Sequence, residues 1–128
     1  MAHPYHHAIS SAKRFGGLAE DYQHLPDWFD QTKAHLPDVR HRSILHSSFG
    51  IFLLEQVFGT TLTRASDGKR VPIRAIGEYH VIEDMGFVPT VEQWLKKLPI
   101  EPWMMRGAKA FTKEIAHLTA AQEVNQSV

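Results

Sequence analysis

The sequence predicts a mainly α fold: a compact helical domain with a central long helix and one small β-hairpin insertion. Three observations carry this. Apolar residues recur at three- and four-residue steps through VRHRSILHSSFGIFLLEQVFG, the pattern of a single helical face. The period then changes at TTLTR and RVPIR, two short runs joined by the turn ASDGK, which read as a hairpin. The 128 residues are 43% apolar and 22% charged, which suits one globular domain that buries about two-thirds of its unfolded surface.

His3-Pro4 opens a first helix, because proline at the first helical position gives up no needed hydrogen bond. That helix carries Tyr5, Ala8, Ile9 and Ala12 inward and stops at Gly16-Gly17. Pro26-Asp27 starts a second helix, with Asp27 as its cap and Asp30 as negative charge in its first turn. It runs through Trp28, Phe29 and Ala34 to Leu36. Pro37 ends this helix or sits in the first turn of the next. The central helix starts from Asp38, where Ile44, Leu45, Phe49, Phe52, Leu53, Gln56 and Val57 recur at three- and four-residue steps, and ends at Gly59. Gly50 inside it marks close packing of another element.

The hairpin that follows has Ser66-Asp67-Gly68 at its tip, and Pro72 confines its second strand to an edge. AIGEYHVIEDMG reads as a short helix ended by Gly86. Thr90 and Gln93 form a capping box that opens VEQWLKKL. RGAKAFTKEIAHLTAA makes a final amphipathic helix. Residues 1–120 are taken as one helical domain and 121–128 as a frayed tail. Trp28, Trp94 and Trp103, with Phe49 and Phe52, are assigned to the core, with Trp103-Met104-Met105 after Pro102 as an exposed partner-binding ledge in the alternative.

Composition excludes several classes of function. Lys plus Arg equals Asp plus Glu at 14 each, so no basic field draws the chain to duplex nucleic acid. The absence of cysteine removes disulfides, thiolate zinc sites and a cysteine nucleophile together. No apolar run approaches the roughly 20 residues that span a bilayer, and MAHPYHHAISSAKRFGG lacks the apolar core of a signal peptide. A cytoplasmic protein without a membrane partner is expected.

Seven of the nine histidines are gathered into HPYHHA, HLPDVRHRSILH and GEYH. Imidazole is the commonest protein ligand for divalent metals. His3 and His7 fall one turn apart on the first helix. On a continuous helix His41 and His46 lie roughly 140° apart and flank the apolar stripe; His35 is placed to join them. His80 and Asp84 are one turn apart on the later helix, as a ligand pair or as a histidine oriented by a carboxylate. The expected metal ligands are therefore drawn from His3, His7, His41, His46 and His80. Glu78 and Asp84 are acid/base or ligand groups, and Arg40 and Arg42 are placed to hold an anionic, phosphate-containing small-molecule substrate. A nitrogen and oxygen donor set of this kind suits zinc first, with iron, nickel or manganese as alternatives. With an open coordination position it is the equipment of a metal-dependent hydrolase. No spacing matches a metallopeptidase motif such as HExxH.

Two other readings use the same residues. In one, the chain is a non-enzymatic bacterial or phage interaction protein whose histidines build a structural polar core. In the other, Arg40-His41-Arg42-Ser43-Ile44-Leu45-His46 resembles the arginine, polar residue and histidine of the HEPN ribonucleases. That resemblance implies metal-independent RNA cleavage by Arg40 and His46 across a homodimer, and it covers seven residues.

Over nearly its full length to Met104, the chain resembles a poorly characterised family of small bacterial and phage proteins. The elements that carry the likeness are HPYHHA, GG..EDY, DWFDQTKAHLPDVRHRSILH, GIFLLEQVFG, GEYHVIEDMG, and PTVEQWL followed by EPWM. The resemblance implies a shared fold and site and brings no activity with it. At Pro37 the chain departs from the family pattern, which otherwise favours one long bent helix.

Overall fold

The computed structural model describes residues 4–36 and 38–107. The chain divides into two compact units, residues 1–95 and residues 96–128. The first is mainly α with one two-stranded antiparallel sheet.

Helix α1, Pro4–Phe15, starts at the expected proline and carries Lys13 and Arg14 in its last turn, where they face the negative end of the helix dipole. Its inward residues are His7, Ala8 and Ser11, while Tyr5 is exposed. The inward face is thus rotated from the expected one, because His7 turns toward carboxylates on a later helix. After a 3-10 turn at Ala19–Asp21 comes α2, His24–Phe29. Pro26 falls in its first turn, where a missing N–H is harmless. Asp27 is therefore inside the helix rather than its cap. The helix stops at Asp30, and Gln31–Ala34 continues as a 3-10 turn.

The largest departure from expectation follows. The segment from Asp38 does not begin the central helix: Val39–Arg42 is a 3-10 turn, and Ile44 has φ of 75°. That is a left-handed conformation a β-branched side chain resists. Pro37, at the expected break, lies outside the described residues. Helix α3, Ser48–Phe58, starts only where the Ser47 hydroxyl accepts a hydrogen bond from the Gly50 N–H at 3.1 Å. It turns Gly50, Ile51 and Leu54 inward, leaving Phe49, Phe52 and Val57 exposed. The core assignment of the two phenylalanines is corrected accordingly.

The hairpin forms as expected. β1, Thr61–Thr63, pairs with β2, Arg70–Pro72, in the register Thr61↔Pro72, Leu62↔Val71, Thr63↔Arg70. Its turn is tied back to the N-terminal elements. The Asp21 carboxylate accepts from Ser66 N and Oγ and from Leu18 N, and Arg64 Nη1 donates to Phe15 O at 2.7 Å. Helix α4, Ile73–Met85, follows β2 directly and ends at Gly86, whose φ of 82° suits the left-handed cap. The Thr90–Gln93 capping box is present, with Thr90 N to Gln93 Oε1 at 2.8 Å and Gln93 N to Thr90 Oγ1 at 3.2 Å. It opens the short helix α5, Val91–Leu95. The core of this unit gathers Tyr22, Leu25 and Phe29 with Ile51, Leu54, Ile73, Ile76 and Val81.

In the second unit the described residues contain a 3-10 turn at Pro102–Met105. Trp103 is 72% exposed, so it is not a core residue. The expected final helix beyond residue 107 and the tail lie outside the described residues. Among the described residues no helix is long and apolar enough to cross a membrane.

Candidate metal centre

Four segments of the first unit bring polar side chains into its interior. Helix α1 supplies His7, one turn before Ser11 on its buried face. The end of α2 supplies Asp30, buried where the helix gives way to the 3-10 turn. The segment between that turn and α3 supplies His41 and His46, both buried. Helix α4 supplies His80 and Asp84 from adjacent turns of one face, with side chains 3% and 5% exposed.

The intervening backbone is held in place around them. Thr32 Oγ1 donates to the His41 carbonyl at 2.6 Å. The indole N–H of Trp94 on α5 donates to the His46 carbonyl at 2.8 Å. The left-handed turn at Ile44 lets the chain reverse between the two histidines. They converge through a turn rather than along a helix face.

The contacts form a chain across the centre. Asp84 Oδ2 lies 3.0 Å from His46 Nε2 and 3.5 Å from His80 Nε2. Asp84 Oδ1 lies 3.2 Å from His7 Nε2 and 3.5 Å from Arg42 Nη2. Asp30 Oδ1 lies 3.5 Å from His41 Nε2 and 3.8 Å from His46 Nε2. The His80 ring stacks on Phe29, centroids 4.5 Å apart, and meets the His7 ring at 3.9 Å.

Two tautomers follow from these contacts. His41 Nδ1 is 2.7 Å from the Asp38 carbonyl oxygen. A carbonyl oxygen only accepts, so this nitrogen carries the proton and Nε2 of the neutral ring is a bare lone pair. His7 Nδ1 faces Glu83 Oε1 at 3.3 Å, with the same consequence. In both cases the bare nitrogen points at a carboxylate oxygen. Two acceptors facing each other in a buried site repel unless a proton or a metal cation lies between them.

Among the described residues, the buried side-chain atoms without a hydrogen-bond partner are His7 Nε2, His41 Nε2, His80 Nε2, His46 Nδ1, Asp30 Oδ2 and Arg42 Nε. All belong to this one centre, although most buried polar groups in folded proteins are satisfied. Asp30, His46, His80 and Asp84 each offer one donor atom such that all four lie within 4.8 Å of one another. This buried cluster is able to hold a metal ion.

Electrostatics agree with that fit. Burial opposes ionisation of Asp84, but the hydrogen bond with His46 and the neighbouring His7 and His80 imidazoles outweigh it and hold the carboxyl far below its ordinary range. Burial, reinforced by the neighbouring His7 and His46, pushes His80 well below the usual histidine value, so its ring is neutral. Burial also works to lower His7, yet Asp84 and Glu83 overcome it and raise the value.

Of the residues expected at a site, the structure brings together His7, His41, His46, His80 and Asp84, with Arg42 alongside. Arg40 is exposed and pairs with Asp38 at 2.7 Å. Glu78 is half-exposed and pairs with Arg74 one turn away on the same helix, at 2.9 Å. Neither reaches the centre. Because Arg40 is turned to solvent while His46 is fully buried against Asp84, the two residues of the ribonuclease reading do not share a site. His35 is exposed, and His3 lies outside the described residues. Sequence reasoning missed Asp30 and Glu83. The first was read as helix-terminal charge, and its one distinguishing mark was its place directly after an aromatic pair that had to be buried.

A family model described as "Domain of unknown function (DUF6915)" matches residues 2–104. Comparison with curated proteins and with solved structures gave no match.

Proposed function

We propose, from the premise that the chain belongs to the DUF6915 family, that it is a divalent-metal-binding domain centred on Asp30, His46, His80 and Asp84. The reading rests on one observation. Four donor atoms converge within 4.8 Å among imidazole nitrogens that have no hydrogen-bond partner. A half-satisfied buried polar cluster is costly, whereas the same groups around a cation are satisfied. Two imidazoles and two carboxylates without sulfur favour zinc, with iron, nickel and manganese next. Glu83 and the Asp38 carbonyl orient the flanking imidazoles of His7 and His41 in the manner of outer groups around bound metals.

Arg42 favours a finer reading. Its Nε is buried and unpartnered, its head lies 3.5 Å from Asp84, and its side chain is 14% exposed. A guanidinium at the rim of a metal centre is suited to a phosphate oxygen. This supports a metal-dependent hydrolase of a phosphate-containing substrate, the metal supplying an activated water.

Elemental analysis of untagged protein is expected to find at least one equivalent of metal, and His80→Ala to lower metal content and melting temperature together. Metal content near zero under metal-replete conditions removes the reading. For the hydrolase, phosphate release from a phosphomonoester should be abolished by chelator. It should also fall in Arg42→Ala while metal content is unchanged.

A further inference from the structure

We infer that the centre holds two metal ions rather than one, each on a set of two histidines and one aspartate; the inference rests on the metal-binding reading above. The donor atoms within mutual reach of a single ion come from Asp30, His46, His80 and Asp84. That group does not take in His7 or His41. Yet the Nε2 atoms of both are buried without a hydrogen-bond partner, and each faces an oxygen of one of those aspartates, at 3.2 Å for His7 and Asp84 and 3.5 Å for His41 and Asp30.

The six side chains therefore sort into two sets. His7 and His80 have rings 3.9 Å apart and face the two oxygens of Asp84, His7 toward Oδ1 and His80 toward Oδ2. His41 and His46 both face Asp30 Oδ1. The four-atom group is the seam between them, with two members from each. Asp84 Oδ2, 3.0 Å from His46 Nε2, joins the sets and has the placement of a bridging carboxylate.

The outer ends are built alike. Glu83 fixes the His7 tautomer and the Asp38 carbonyl fixes that of His41, and both leave Nε2 bare toward the interior. Two-metal sites place their ions about 3.5–4 Å apart, a spacing that a shared carboxylate spans. Two divalent cations exceed the charge of Asp30, Asp84 and Glu83, and Arg42 adds to the excess, so the remaining coordination positions fall to anions such as hydroxide or phosphate.

Calorimetric titration of the metal-stripped chain with Zn2+ tests this. Two equivalents are expected for the native sequence, and one for His7→Ala and for His41→Ala. A single equivalent, unchanged in both variants, overturns the two-ion centre and leaves the metal-binding reading standing. Zero equivalents overturns both. If either variant fails to fold, electron paramagnetic resonance of the native chain loaded with Mn2+ decides. An exchange-coupled pair signal at two equivalents is expected, while the six-line spectrum of isolated ions alone overturns the inference.

Discussion

Asp84 is the side chain on which the centre turns. It meets His7, His46, His80 and Arg42 at once, so its charge is what holds three imidazoles and a guanidinium in a buried place. Removing one partner of a buried ionic group leaves the others uncompensated, which typically costs more than the pair contributes. Asp84→Asn keeps the shape and removes the charge. It is expected to destabilise the metal-free protein by about 3 kcal/mol at neutral pH and to lower metal content. The pH dependence has a definite sign. The folded value of Asp84 lies far below the unfolded one, so its contribution is complete above about pH 4 and is lost as pH falls through the folded value. Metal-free native protein should therefore lose stability on acidification below pH 4 more steeply than Asp84→Asn. Parallel curves of melting temperature against pH would contradict the assignment.

Among the elements, α3 shows how close packing orders the site from outside it. A Cβ on Gly50 would overlap the carbonyl of Leu45, in the turn that carries His46. The glycine is thus what lets the first turn of α3 sit against the site segment. Gly50→Ala should force the two apart and destabilise by about 3 kcal/mol or more, as rigid backbone overlap does. Thermal unfolding checks this, and a change under 1 kcal/mol would mean that the turn yields freely.

The same helix shows why part of the fold was illegible. SFGIFLLEQVF is apolar around most of its circumference, so its period marks a helix without choosing which side faces in. The chosen side, with Phe49 and Phe52, proved to be outside. The hairpin, the Gly86 stop and the Thr90–Gln93 box were legible because turn and cap chemistry is local. At the site, each histidine-bearing stretch contributes one or two rings, which residue type alone could suggest. Asp30 and the left-handed turn at Ile44 were not legible, since both answer to tertiary contacts that a run of neighbours does not record.

For the whole molecule, the consequence of the centre is a cross-link. His7, Asp30, His41, His46, His80 and Asp84 come from α1, the end of α2, the segment before α3, and α4, and only the folded chain brings them together. A ligand that binds the native state alone stabilises it by about 2.7 kcal/mol when its free concentration is a hundred times its dissociation constant. For a domain of this size that corresponds to a rise in melting temperature of about 10 °C. Chelator added to the loaded native protein should reverse a shift of that order. It should move His80→Ala clearly less, because that variant has lost the linkage made through His80. The pairing of the two measurements separates metal loss from simple damage. If His80→Ala unfolds at a lower temperature but responds to chelator as strongly as the native chain, His80 packs the core without holding the ion. A melting temperature of the native chain that ignores both metal and chelator would mean that no ion ties these four segments together.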